Sequence, residues 1–294
     1  MLDVTRLRVL VAVARHDSVT AAAQALHYAQ SSVSHHLARL EAETGSRLTQ
    51  RAGRGLRLTE AGRMLADRAE EILGRLDAAE AELAAHTGLR TGRVRLAAFP
   101  SALGTFVPAA AAAFTAAHPG VDLRFTEAEP PDAVRLLRGG EVEVALLFDH
   151  PGHPVPEPGS LRHEVLLDDP IHLVVPAGWS GDTPAEHRDR PWIAGCERCR
   201  GQLLHECATA GFTPDIRFTT DDYVAVQRLV AAGLGVATLP GLALAAHRGE
   251  GIRTTLLPGP GRRVLVAMHG DPPDPPGTAA LLTHLRSAAE TLVP

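Results

Sequence analysis

Val19-Thr20-Ala21-Ala22-Ala23-Gln24-Ala25-Leu26, a break at His27-Tyr28-Ala29, and then Gln30-Ser31-Ser32-Val33-Ser34-His35-His36-Leu37 decide the reading of this chain. Ser18 supplies a hydroxyl cap before a run of strong helix formers. After the break, Val33, Leu37 and Leu40 recur at helical spacing, so a second helix runs from about Gln30 to Glu43 and ends at Gly45. A short helix, a tight turn and a longer helix with a polar outer face form a helix-turn-helix.

The neighbouring segments complete that unit. Upstream, Leu7, Leu10, Val11 and Ala14 mark an amphipathic first helix. Downstream, Leu48 to Leu58 alternates around Gly53 and Gly55 and carries Arg51 and Arg54, which predicts a two-stranded wing. From Thr59 to about Thr87 one long helix is expected. Its Leu65, Ala69, Ile72, Leu76, Ala79 and Leu83 are spaced 4-3-4-3-4, a seam suited to pairing two chains. His86 to Gly92 reads as a hinge.

Charge follows the same division. The net charge is −5, yet residues 1–58 hold eight Arg against four acidic residues, and residues 91–294 hold seventeen against twenty-three. A basic head on an acidic body points to a polyanion at the head alone. Lysine is absent, so every fixed cation is a guanidinium, which grips phosphate through two N–H groups.

Beyond the hinge, strands and helices alternate. Val94–Phe99, Val121–Phe125 and the apolar run Val142–Phe148 read as strands of an open α/β sheet, with helices between them. A Pro/Gly-rich crossing at 150–159 leads to a second set. Its strands lie near His163–Leu167, Ile171–Val175, Trp192–Ala194, Ile216–Thr219, Val236–Leu239 and Ile252–Leu256. A last strand, Val264–Met268, and a last helix, Ala279–Leu292, are expected to return to the first lobe.

Val19–Leu26, Gln30–Ser34, Leu40–Gly45 and Leu58–Gly62 together resemble the LysR-type transcriptional regulators, in order and spacing. Asp222-Tyr223 and Gly233–Ala237 fit the family's second lobe. The resemblance implies an N-terminal all-α winged helix-turn-helix with a long linker helix, then a C-terminal α/β two-lobed effector domain like periplasmic solute-binding proteins. Boundaries follow at 1–60, 61–90 and 91–294, with lobe I at about 92–160 and 264–292 and lobe II at about 161–263. Three positions depart from the family pattern. Ala29 stands where a capping serine is usual, which leaves Ser31 as a substitute cap. Thr49 replaces a phenylalanine and weakens the wing's packing, and His35-His36 replace Arg and Gln.

On this reading Thr20, Gln30, Ser31, Ser34 and His35 meet DNA from the helix-turn-helix, and Arg51 and Arg54 meet it from the wing. The partner is double-stranded DNA at a two-fold operator. The protein is a homodimer, and the resemblance extends this to a homotetramer. A small-molecule effector sits between the lobes, beyond the C-terminal ends of strands. The segments that reach there supply Pro100, Ser101, Ala102, Phe148, Asp149, Cys196, Arg198, Arg200, Asp222, Leu234 and Met268. Arg198 or Arg200 would suit a carboxylate, so an anionic effector is one expectation.

Cys196-Glu197-Arg198-Cys199, with His205 and Cys207 nearby, invites a metal or redox reading. One CxxC without a second pair is weak for metal, and no metal or cofactor is expected. A redox-sensing regulator using Cys196, Cys199 and Cys207 stands as the alternative within the family. A free-standing solute-binding protein has no need of residues 1–90. For an enzyme, no GxSxG, P-loop, HExxH or post-strand GxGxxG is present. The start lacks a secretory signal and no apolar run reaches the ~20 residues of a membrane span, so a cytoplasmic protein is expected.

Overall fold

The structure is a computed structural model that describes all residues except 1, 53–54, 86–91, 152–160, 271 and 293–294. Most of the expected hinge and most of the Pro/Gly-rich crossing lie outside the described residues. The chain divides into two compact units, residues 1–87 with 135–143 and residues 88–134 with 144–294.

The first unit opens with α1 (Val4–His16), α2 (Val19–Ala25) and α3 (Gln30–Thr44). Asp3 caps α1 by accepting from the Arg6 amide at 3.1 Å, and Ser18 caps α2 by accepting from Ala21 at 3.3 Å. No side chain caps α3, so Ser31 does not take over the role. Its first turn leaves amide donors free, which suits a helix end that meets an anion. Gly45 ends α3 with φ +65°, a conformation that favours glycine. Val33, Leu37 and Leu40 face inward, as the spacing predicts, onto Leu7, Leu10, Leu48 and Leu58.

The wing is an antiparallel pair, β1 (Thr49–Ala52) and β2 (Gly55–Leu58), with Thr49 opposite Leu58. Thr49 corrects an expectation here. Glu41 Oε1 accepts from the Leu48 amide at 2.8 Å, the Thr49 amide at 2.9 Å and the Thr49 hydroxyl at 3.0 Å. A charged acceptor with three donors anchors the wing where an aromatic contact is missing.

The helix α4 (Glu60–Ala85) follows. Gly62 is required by close approach, since a Cβ there would lie 2.0 Å from the Leu48 carbonyl oxygen. Ala66, Ala69 and Leu73 of α4 are buried in the first unit's own core, and Leu65 packs against it. The six-residue seam is corrected accordingly. Leu65 and Ala69 serve this domain's interior, because a straight helix turning every 3.6 residues carries them onto the 66-69-73 face. Ile72 and Leu76 are 43% and 37% exposed, and Ala79 is exposed too. The side chain of Leu83 lies outside the described residues.

From residue 92 on, β3 (Gly92–Ala98), α5 (Pro100–Leu103), α6 (Phe106–Ala117), β4 (Val121–Glu127), α7 (Pro130–Arg138, its last four residues counted with the first unit), β5 (Val144–Asp149) and β6 (Leu161–Asp169) run in chain order. Next come β7 (Ile171–Pro176), β8 (Pro191–Ala194), α8 (Glu197–Thr209), β9 (Asp215–Thr219), α9 (Tyr223–Ala231), β10 (Val236–Pro240), α10 (Gly241–Ala246) and β11 (Ile252–Leu256). The chain then returns with β12 (Arg262–His269) and α11 (Pro276–Glu290). Two five-stranded sheets result, ordered β4-β3-β5-β12-β6 and β11-β7-β10-β8-β9.

The lobe boundary differs from the expected 161. The segment 161–169 pairs with β12 along its whole length, so it closes the first sheet. Two strands therefore cross between lobes side by side, after Asp169 and before Arg262. Gly261, at φ +69°, marks their contact, because a Cβ there would sit 2.4 Å from the Asp169 carbonyl oxygen.

Candidate functional site

Two surfaces carry the chemistry. On α3, Gln30, Ser31, Ser34 and His35 are all exposed while Val33 and Leu37 are buried. The polar residues thus occupy the free face of the helix's N-terminal half, which is the part that enters a major groove in helix-turn-helix proteins. Thr20 is exposed on the first turn of α2. Arg51 belongs to β1, but its side chain lies outside the described residues, as does Arg54 altogether. Tyr28 stacks on His36 with ring centroids 6.0 Å apart, which steadies the turn beside α3.

The second surface is a cleft between the two lobes of the second unit. Lobe I contributes Phe99, Ser101, Glu129, Phe148 and Arg262; lobe II contributes Cys196, Cys199, Thr220, Asp221, Tyr223 and Thr238. The free volume is about 60 Å³. That suits a few water molecules or a small ligand group before the lobes move.

Arg262 forms the floor. Its Nε and Nη2 each donate to Asp169 Oδ2 at 2.8 Å, and Nη2 also donates to Ser101 Oγ at 2.8 Å. The guanidinium lies 4.5 Å from the Phe148 ring centre and 5.0 Å from that of Phe99. Asp169 Oδ1 accepts from the Leu242 amide at 2.9 Å, so one carboxylate joins both strand crossings to α10. The ion pair is buried on both sides, which ties each charge to the presence of the other.

Glu129, between β4 and α7, is buried enough that its carboxyl is pushed up to about 7. Desolvation dominates, the negative charges of Cys199 and Asp221 add to it, and a hydrogen bond with Cys196 and the charge of Arg262 oppose it. In the unfolded chain this group ionises at its ordinary 4.5. Between those values the unfolded state releases a proton that the folded state keeps. Stability therefore falls as pH rises through that window and is flat above it. Replacing Glu129 with Gln should leave stability near pH 4 little changed. Near pH 8 it should raise stability by on the order of 2–3 kcal/mol. Urea unfolding followed by tryptophan fluorescence at the two pH values checks this; an equal effect at both would show that the carboxyl is not held protonated.

Of the residues expected at the cleft, Pro100, Ser101, Phe148 and Cys196 line it. The others do not. Ala102 and Met268 are core residues of lobe I, pointing into the packed layer beneath α5 and β12. Asp149 is buried against Arg263, which donates to it from Nε at 3.0 Å and Nη2 at 2.6 Å. Asp222 is spent as the cap of α9, accepting from Val224 and Ala225, and its neighbour Asp221 faces the cleft instead. Leu234 is exposed on the turn after α9. Arg198 and Arg200 do not line the cleft, and Arg200 is exposed. The expected loop at 196–200 is already helix, since α8 starts at Glu197. The cleft's arginine is neutralised by Asp169, while Glu129 and Asp221 add carboxyl groups. An anionic effector is therefore not what this lining favours.

Glu129, Thr220 and Asp221 were findable, because each follows the C-terminal end of a strand. Arg262 opens a strand, so that rule passes it by. Its signal is a charged residue directly after a glycine at a crossing. Among the described residues no cluster of three or more His, Cys, Asp or Glu side chains has the geometry to hold a metal.

Residues 4–63 match the model of the bacterial regulatory helix-turn-helix protein, lysR family, and residues 87–290 match the LysR substrate binding domain. The HTH-type transcriptional regulator CfxR of Cupriavidus necator is 31% identical over 245 residues, covering 81% of this chain and 75% of the relative. A probable hydrogen peroxide-inducible genes activator of Mycobacterium avium is 30% identical, covering 88% and 85%. Among solved structures, a cysteine-to-aspartate variant of full-length OxyR from Pseudomonas aeruginosa superposes with TM-score 0.67 at 20% identity, covering 99% and 95%. CbnR complexed with its target DNA gives 0.55 at 23% identity, covering 98% and 100%.

Proposed function

The chain belongs to the LysR family of bacterial transcription regulators, and from that premise we propose how its parts divide the work. It is a DNA-binding regulator with an effector-binding domain. Gln30, Ser31, Ser34 and His35 read base edges and phosphates in a major groove. Thr20 and the wing arginines Arg51 and Arg54 hold the backbone. The pairing surface is the exposed part of α4 at Ile72, Leu76 and Ala79, and two copies address a two-fold operator. A pair of such dimers makes the tetramer. The effector is a small neutral or cationic molecule, held between Ser101, Glu129, Thr220 and Thr238. It acts by favouring one lobe orientation, and shifts the balance only by its difference in affinity for the two. The protein is cytoplasmic and performs no catalysis.

The observation that carries this reading is the α3 face, polar and exposed over its N-terminal half and apolar beneath. Fluorescence anisotropy of the full chain on the DNA upstream of its own operon tests it. Affinity should fall steeply between 50 and 200 mM salt, by roughly 10³-fold or more for six or more phosphate contacts. Binding that ignores salt, or saturates with one chain per site, would overturn it. Thermal shift against a panel of amines, sugars and carboxylates separates effector classes, since a true ligand stabilises by mass action.

A further inference from the structure

The cleft contains a group that effector binding does not use. Cys196 is the N-cap residue of α8 and Cys199 sits in its first turn; the Cys196 carbonyl accepts from the Arg200 amide at 2.7 Å. Both thiols line the cleft, and both are free. Gly195 lets the turn fold closely beneath them, since a Cβ there would lie 3.2 Å from Cys199 Cβ. Cys196 favours a thiolate at Cys199, and it also favours the ionised form of Glu129.

Three further features distinguish this pair from packed cysteines. His150, only 3% exposed, closes the end of β5, and its charge, like that of Arg262, favours a thiolate at Cys199. Neither ring nitrogen of His150 has a hydrogen-bond partner of good geometry among the described residues. Glu129 Oε2 is likewise buried without a partner. A low thiol at a helix N-terminus beside cations is the setting in which cysteine reacts, and Cys199 is held below the usual range while Cys196 is pushed above it. Cys207 differs on every count. It is fully buried in lobe II's core, and burial pushes its thiol up to about 12.

We propose that Cys196 and Cys199 form a dithiol switch inside the cleft, oxidised to a disulfide by a hydroperoxide, with Glu129 as the proton donor. The Cys199 sulfur attacks one peroxide oxygen, so an S–O bond forms as the O–O bond breaks. The departing hydroxide takes the proton held on Glu129, which came from Cys199, and leaves as water. The Cys196 sulfur then attacks the Cys199 sulfur. The S–S bond forms as the S–O bond breaks, and the second hydroxide leaves with the Cys196 proton. Two thiols and one hydrogen peroxide give one disulfide and two waters. The small free volume selects the oxidant, because it admits a peroxide and excludes a tripeptide disulfide. The disulfide removes the thiolate from between the lobes and so changes which lobe orientation is favoured, a step that rests on the cleft being the regulator's input.

The test uses the reduced full-length chain, one to two equivalents of hydrogen peroxide, and peptide mass spectrometry. The 196–199 peptide should lose 2 Da within minutes, recover with dithiothreitol, and leave Cys207 alkylatable. Cys196→Ser, which cannot resolve the intermediate, should carry a dimedone-reactive sulfenate at Cys199. Oxidised glutathione at equal concentration should react at least tenfold more slowly. Thiols that persist, or oxidation confined to Cys207, would overturn the proposal. So would a disulfide that leaves affinity for the upstream DNA unchanged within twofold. The mass readout needs no DNA, so its failure is distinct from a failure of the DNA-binding reading.

Discussion

Arg262→Met should lower the stability of the effector domain by about 3–5 kcal/mol while leaving residues 1–58 folded. The methionine fills much of the slot between Phe99 and Phe148, so packing survives. Asp169 loses both guanidinium contacts and stays buried with the Leu242 amide as its remaining donor. An uncompensated buried carboxylate is the expensive outcome, and it falls at the point where both strand crossings meet. Both tryptophans, Trp179 and Trp192, lie in lobe II beyond the first crossing. Their fluorescence therefore reports this domain and not the helix-turn-helix. The urea midpoint should drop by roughly 1–2 M. Arg262→Met combined with Asp169→Asn should regain more than half of the loss, because the orphaned charge is gone. A single variant as stable as the parent would show that Asp169 is not left as an uncompensated buried charge. A double variant no better than the single would place the cost in packing instead.

The Arg262 network explains why half of the cleft was invisible in the sequence. Periodicity found β3, β5, α9 and the return of β12, because each has a face or a run that only one kind of burial satisfies. It set 161–169 in the wrong lobe, since a strand pattern does not say which partner the strand chooses. Ser101, Phe148 and Cys196 came from a rule about strand ends. Ala102 and Met268 came from the same rule and failed, because adjacent residues point to opposite sides and only one side is the cleft. Arg262 has only a faint local signature, the glycine before it; its partners Asp169 and Ser101 are 93 and 161 residues away. The seam on α4 lost its first two residues in a similar way. Spacing located an apolar face correctly, yet Ala69 and Leu65 had a nearer core to fill.

The bounds and buried face of α3 were legible, though its expected Ser31 cap was not, and the test of its proposed role has the larger functional effect. Ser34→Glu should weaken operator binding by roughly 100-fold or more, about 2.8 kcal/mol. Its melting should match the parent. The argument is positional. Ser34 is exposed one turn into α3, beside buried Val33, so a larger side chain meets solvent and not the core. Glutamate is also a better helix former than serine, so the fold gains slightly if anything. In the complex the new carboxylate faces a polyanion, and like-charge juxtaposition at an interface costs several kcal/mol. A two-fold site meets two such charges, which compounds the loss. Ser34→Ala provides the contrast: it removes one hydroxyl without adding charge, so affinity should change by less than about tenfold, a single hydrogen bond's worth. Anisotropy titrations of the three proteins at one salt concentration, with thermal melts alongside, separate the outcomes. Glutamate bound as tightly as serine, at unchanged melting, would mean that this face of α3 does not touch DNA. Equal losses for alanine and glutamate would mean that Ser34 acts through one specific hydrogen bond, and that the groove's potential at this position matters little.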